Sequence, residues 1–258
     1  MIRAIWVAVN TLVATLLLGP IMVGGGLLRI RHQKLYDWGG RSWSRWILRA
    51  SGTPLIVQGI EHVDPDSPQV LVGNHQSWYD VFAVASALDK TFHFIAKKEL
   101  ERIPLFGAAW KAAGHISIDR SDQARAIASL DQAGRQLRRE RSAVVIFAEG
   151  TRSPDGELLP FKKGAFMLAL HSGVPVVPFG LAGTRRILPK GGWRVRKGPI
   201  IVRFGTPIPT GSMDPAERDA LMRRVREEVR RLRDEARAEL PPGPAEAGPR
   251  IDNPKSDR

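Results

Sequence analysis

From Pro54 onward the apolar positions fall into short runs: Leu55 to Val57, Gln69 to Val72, Phe92 to Ile95, His115 to Ile118, Ala143 to Ala148, Val174 to Phe179 and Pro199 to Phe204. Runs this short, bounded by polar, Gly or Pro positions, predict strands. Between them the spacing becomes helical. Ser121 or Asp122 can cap a helix in which Ile127, Leu130, Gly134 and Leu137 recur on one side and Arg125, Arg135, Arg138 and Arg139 face mostly outward. A second helix is predicted near Asp214, with Pro215 at its first position and Leu221, Val225, Val229 and Leu232 along one side. Strands alternating with helices predict an α/β domain over residues 51–239, with a mixed, largely parallel sheet flanked by helices. Beyond Leu240 the chain is rich in Pro, Gly and charge without apolar period, so residues 240–258 are expected to form a disordered tail.

The first fifty residues follow another pattern. Ala4 to Leu28 is uncharged and mostly apolar, with Arg3 on one side and Arg29 and Arg31 on the other. That is about the length of a spanning helix. It is longer than the apolar stretch of a secretory signal, and no clear small-x-small cleavage site follows it. Pro20 and the run Gly24, Gly25, Gly26 interrupt the stretch, leaving open a single span or a re-entrant helix pair in one leaflet. Next, Leu35, Tyr36, Trp38, Trp43 and Trp46 alternate with Lys34, Arg41, Arg45 and Arg49. Aromatic rings with basic neighbours suit the headgroup layer, although an amphipathic helix packed on the domain has the same composition. Residues 1–50 are therefore expected to be a membrane-anchoring helical segment. The cations after Leu28 place the domain on the cytoplasmic side of the cell (inner) membrane.

Composition narrows the chemistry. An apolar fraction of 43% in 258 residues supports a real core, and a formal net charge of +13 attracts anions. No helix-turn-helix, zinc-finger or RNP-type signature accompanies that charge, so no nucleic-acid partner is expected. With no cysteine, disulfides, thiolate metal sites and a thiol nucleophile are excluded. No Gly-x-Ser-x-Gly elbow and no His-Glu-x-x-His pattern occurs, so neither a serine acyl-enzyme nor a metal is called for.

Three segments can carry chemistry. In Gly73-Asn74-His75-Gln76-Ser77-Trp78-Tyr79-Asp80, a histidine follows a buried strand and an aspartate lies five residues on. Positions five apart on one helix do not share a face, so pairing requires a turn at His75 and a helix starting about Ser77. Asp80 would then hold one ring nitrogen and leave the other to take a proton from a hydroxyl. Ser77 reads as a cap more than a nucleophile. In Phe147-Ala148-Glu149-Gly150-Thr151-Arg152-Ser153, backbone N–H groups and a guanidinium leaving a strand suit a phosphate, and Glu149 could hold Arg152 or bind a substrate hydroxyl. Lys97 or Lys98, ending a third strand, could neutralise an acceptor phosphate.

Taken together and in this order, the segments resemble the glycerolipid acyltransferases of the 1-acyl-glycerol-3-phosphate acyltransferase family. Asn74-His75 through Asp80 looks like the family's His-x4-Asp block, and Lys97 through Gly107 like its second. Phe147 through Ser153 looks like its Glu-Gly-Thr-Arg block, and Val174 through Pro178 like its fourth. Ile118-Asp119-Arg120 also falls where such proteins carry an Ile-Asp-Arg stretch, whereas Ala148 stands where they often have Pro. The resemblance implies that His75 is the general base, Asp80 orients it, and Arg152 with Lys97 binds the acceptor phosphate. Glu149, Gly150 and Thr151 would line the acceptor pocket, and Pro175 and Pro178 the wall of an acyl channel. It implies a lysophospholipid acceptor, lysophosphatidate first, an acyl-CoA or acyl carrier protein donor, and no cofactor beyond that donor.

Overall fold

The computed structural model describes residues 1–28, 33–118 and 123–242, with the backbone alone for 123–128. Arg29 and Arg31, the Asp119-Arg120 pair, the cap at Ser121 or Asp122, and residues 243–258 of the expected tail lie outside the described residues.

All seven expected strands are present: β1 (Leu55–Gln58), β2 (Gln69–Gly73), β3 (Phe92–Lys97), β4 (Ile116–Ile118), β5 (Ala143–Phe147), β6 (Val176–Ala182) and β7 (Ile200–Phe204). They form one sheet in the order β1-β7-β6-β2-β5-β3-β4. Every neighbouring pair is parallel except β6 with β7. The reversal at β7 turns β1 and β7 against the other five strands. Consequently the carboxyl ends of β2, β3, β5 and β6 share one edge with the amino ends of β1 and β7.

Side-chain alternation divides the core in two. Leu71, Val145, Val177 and Phe179 face α2 (Gln33–Ala50) and α3 (Tyr79–Ala87). Val70, Val72, Val144 and Val176 face α5 (Gln123–Glu140), α6 (Gly164–Ser172) and α8 (Arg218–Ala238). The central strands are buried on both faces, as a parallel sheet covered by helices requires. The helix expected at Asp214 starts as a 3-10 turn with a capping box between Asp214 and Glu217, and α8 continues from it. Two short helices, α4 (Phe106–Ala112) and α7 (Thr184–Ile187), complete the fold.

At the amino end, α1 (Ile2–Leu27) runs without a break through Pro20 and the three glycines, so the break that the sequence left open is not formed. Pro20 lies on the exposed side, where the hydrogen bond it cannot donate is least costly. α2 then returns along α1. Trp6, Trp43 and Trp46 donate their indole N–H to Ala50 O (3.0 Å), Thr15 Oγ1 (2.9 Å) and Asn10 Oδ1 (3.1 Å). Trp43 and Trp46, expected at headgroup level, thus join the two helices, while Trp38 stays half-exposed. Val7, Ala14, Leu18 and Met22 of α1 face inward; Ile5, Val9, Leu12 and Leu16 are exposed. By length and composition α1 is apolar enough to cross a membrane.

Candidate active site

The site is built on the shared edge. β2 ends at Gly73, where a Cβ would fall 2.1 Å from the Phe179 ring, so no side chain fits. Buried Asn74 then donates to Leu181 O (3.0 Å) and accepts from Leu181 N (2.7 Å), its amide extending the pairing of β2 with β6. This pins the chain immediately before His75. Asp80, in the first turn of α3 and wholly buried, gathers three hydrogen bonds on Oδ2: from Gln76 N (2.6 Å), Ser77 N (2.8 Å) and His75 Nδ1 (2.7 Å). The two backbone donors fix the turn, and the third orients the imidazole. α3 therefore starts at Tyr79, two residues later than the sequence suggested. The Ser77 hydroxyl donates to Leu188 O (2.7 Å) and accepts from Tyr79 N (3.2 Å), a local structural use rather than that of a nucleophile.

The His75 ring lies nearly parallel to Phe147, with centroids 4.2 Å apart. Its side chain keeps 16% of its surface exposed. With Nδ1–H donated to a carboxylate, Nε2 carries the lone pair, which is the tautomer a general base needs.

The loop after β5 is zipped to the histidine loop. Ser153 N donates to His75 O (2.7 Å), and His75 N donates to Glu149 Oε1 (2.7 Å). Glu149 Oε2 accepts from Leu159 N (3.0 Å). Glu149 was expected to hold Arg152 or a substrate hydroxyl; instead its carboxylate is buried and committed to two backbone N–H groups. Burial pushes its pKa up to about 7, only partly offset by those donors. Gly150, at φ +70°, closes a tight turn by donating to Phe147 O (3.0 Å). Arg152 leaves the loop half-buried, its guanidinium 5.0 Å from the centroid of the Trp78 ring, a cation–π seat between the two motifs. Thr151 is exposed and accepts from Lys190 Nζ (3.3 Å). Trp78, Phe147 and Lys190 were not singled out from the sequence. The first two lay inside the motifs; Lys190 carried no local signal.

Lys97 closes β3 on the same edge, exposed, two strands from β2 and thus roughly 10 Å to the side. Among the described residues no hydrogen bond joins it to His75 or Arg152.

An apolar cavity opens between α1, α2, α3, α4 and β3. Leu18, Trp43, Val81, Phe94, Phe106 and Trp110 are among its walls. Phe94 is near-parallel to Phe147 at 6.3 Å, so one aromatic stack connects the cavity wall with the seat of His75. Pro175 and Pro178 do not line it. Pro178 shares its strand face with Val176 and Gly180, and at Gly180 a Cβ would meet the α8 backbone at 2.2 Å. That is the opposite side of the sheet from the cavity.

Fold and site define an α/β protein with a His–Asp dyad beside a cationic loop and, through the Phe147–Phe94 pair, linked to the wall of an apolar cavity. Residues 54–182 match the Acyltransferase family, and the chain belongs to it. It is 39% identical over 200 residues to the 1-acyl-sn-glycerol-3-phosphate acyltransferase of Limnanthes alba, covering 78% of this chain and 69% of that one. With the enzyme of the same name from Cocos nucifera it is 38% identical over 182 residues, covering 70% and 58%. The crystal structure of the 1-acyl-sn-glycerophosphate (LPA) acyltransferase PlsC from Thermotoga maritima superposes with a TM-score of 0.79 at 27% identity, covering 91% of this chain and 94% of that one.

Proposed function

We propose that the protein is a membrane-surface enzyme that moves a fatty acyl group from an acyl thioester to the sn-2 hydroxyl of 1-acyl-glycerol-3-phosphate, giving phosphatidate. The observation that carries this reading is the 2.7 Å bond from His75 Nδ1 to buried Asp80, which leaves Nε2 to accept a proton. The acceptor hydroxyl gives its proton to Nε2 as its oxygen attacks the thioester carbonyl. The tetrahedral intermediate then collapses, the C–S bond breaks, and the departing thiolate takes the proton from the imidazolium. Asp80 keeps the ring in one tautomer and stabilises the transient cation. Arg152, held against Trp78, faces the acceptor phosphate as a planar fork, and Lys97 adds charge from β3. Gly150 and Thr151 border that phosphate, and Glu149 holds their loop to the backbone of His75. The apolar cavity receives an acyl chain.

The exposed apolar side of α1 supports seating on one leaflet, because α1 lies against α2 and the domain along its length. We place the catalytic edge on the cytoplasmic side of the cell membrane. The donor is acyl-CoA or acyl carrier protein, without a further cofactor. Purified protein should form phosphatidate from lysophosphatidate with at least one of these donors. Release of free fatty acid at the same rate with and without lysophosphatidate would instead identify a thioester hydrolase, and preference for another lyso-lipid or for glycerol 3-phosphate would change the acceptor.

A further inference from the structure

The segment from Leu188 to Pro199 carries Lys190, Arg194, Arg196 and Lys197 and no acidic residue. It is ordered from within. Gly192 N donates to Pro189 O (3.0 Å), Arg196 N donates to Ile187 O (2.9 Å), and Leu188 and Val195 pack on the core. This anchoring turns Trp193 outward, 55% exposed, with the Arg194 guanidinium 5.1 Å from its ring centroid. None of the four cations is in an ion pair among the described residues.

The loop also has a definite position. At one end Lys190 reaches Thr151 on the lip of the candidate site. At the other, the Lys197 side chain and the Arg3 guanidinium both approach Gly52, 3.4 Å and 3.6 Å from where its Cβ would lie. Arg3 is in the first turn of α1, whose Ile2, Ile5 and Trp6 are exposed. An exposed tryptophan in a loop of four cations without ion pairs, one end of which comes near the start of an apolar helix, has the chemistry of a bilayer interface: the ring suits the headgroup level and the cations suit anionic phosphates. A nucleic acid would use the same cations and leave the adjoining apolar face uncovered.

We propose that this loop is a second lipid contact. Trp193 enters the interfacial layer of an anionic bilayer, while Arg194, Arg196 and Lys197 bind its phosphates. Together with α1 the loop sets the edge carrying His75 against the lipid surface, so that a lipid acceptor reaches the site laterally. This rests on the membrane-surface reading above.

The test is co-sedimentation of the full chain with vesicles of phosphatidylcholine alone or mixed with phosphatidylglycerol. It compares wild type, W193A, R194Q/R196Q/K197Q, and the charge-keeping R194K/R196K. Thermal unfolding and activity on detergent-dispersed acceptor serve as controls and should be unchanged. Removing three interfacial charges should weaken binding to the anionic vesicles by about a hundred-fold and leave binding to phosphatidylcholine nearly as it was. W193A should weaken binding to both, and R194K/R196K should bind as wild type does. If wild type binds and the triple glutamine variant binds anionic vesicles equally well, the loop contact is wrong and the α1 face alone seats the protein. If wild type binds neither kind of vesicle, the membrane-surface reading fails, and the loop contact with it.

Discussion

Replacing Asp80 by Asn keeps the shape of the side chain and removes its charge, which separates the orienting role of the carboxylate from its electrostatic one. Oδ2 accepts from Gln76 N, Ser77 N and His75 Nδ1, while Oδ1 is buried with no partner among the described residues. An asparagine must place its amide oxygen at the Oδ2 position to satisfy the two backbone donors. Its NH2 then occupies the Oδ1 position as an unpaired buried donor, which costs about 1–3 kcal/mol of stability. The imidazolium formed during transfer also loses a charge-assisted partner, worth about 1.5–3 kcal/mol against about 0.5–1.5 for a neutral one. Should the amide instead donate to Nδ1, the ring is forced into the tautomer with a proton on Nε2 and cannot act as a base. The first arrangement, losing about 1–2 kcal/mol in the transition state, predicts a fall in kcat of about five- to thirty-fold, and the second a fall of about 10⁴-fold, in a protein that still folds. Initial rates of phosphatidate formation, with denaturant unfolding of the same preparations, measure both quantities. A folded Asp80→Asn protein with the wild-type kcat would refute the reasoning.

Arg152→Lys keeps the charge but loses the planar fork and its seat on Trp78, so kcat/KM for the acceptor should fall about ten-fold to over a hundred-fold while donor KM changes little. Steady-state kinetics with each substrate varied in turn decide this; a raised donor KM alone would mean that the loop serves the carrier's own phosphates. Glu149 has its pKa raised by burial from 4.5 to about 7, so the folded state holds a proton that the unfolded state releases, and stability declines as pH rises through that window. Relative to Glu149→Gln, wild type should therefore lose up to about 3 kcal/mol of unfolding free energy between about pH 5 and about pH 8. Parallel pH profiles for the two proteins would show that Glu149 does not titrate in this range.

Much of this site could be read from the chain, and what could not was three-dimensional. The strands were legible because each is a short apolar run, the central ones buried on both faces, and their alternation with helices predicted a largely parallel sheet. The reversal at β7 was not legible, because nothing in the short apolar run Ile200–Phe204 signals its direction. α6 was missed since its Gly164–Ser172 is buried nearly all round and shows no helical alternation. The spacing allowed the His75–Asp80 pairing only with a turn at His75, and put the start of α3 at about Ser77; the later start comes with Asp80 reaching back to two backbone N–H groups. Glu149 illustrates the harder case. A carboxylate in a loop looks the same whether it faces a ligand or the backbone, and only its burial and its bonds to the backbone N–H groups of His75 and Leu159 show which. The face on which Pro178 lies depends on strand register, which shifts by one residue without any local sign.

The most direct test is single-turnover transfer by His75→Ala. Purified wild-type and variant proteins, matched in unfolding free energy, are mixed with labelled acyl donor and lysophosphatidate, and phosphatidate is followed with time. A general base that contributes ~10²–10⁴-fold predicts a rate for the variant lower by that factor, with donor and acceptor still bound. Phosphatidate formed by a folded His75→Ala protein at the wild-type rate would contradict the account at its centre.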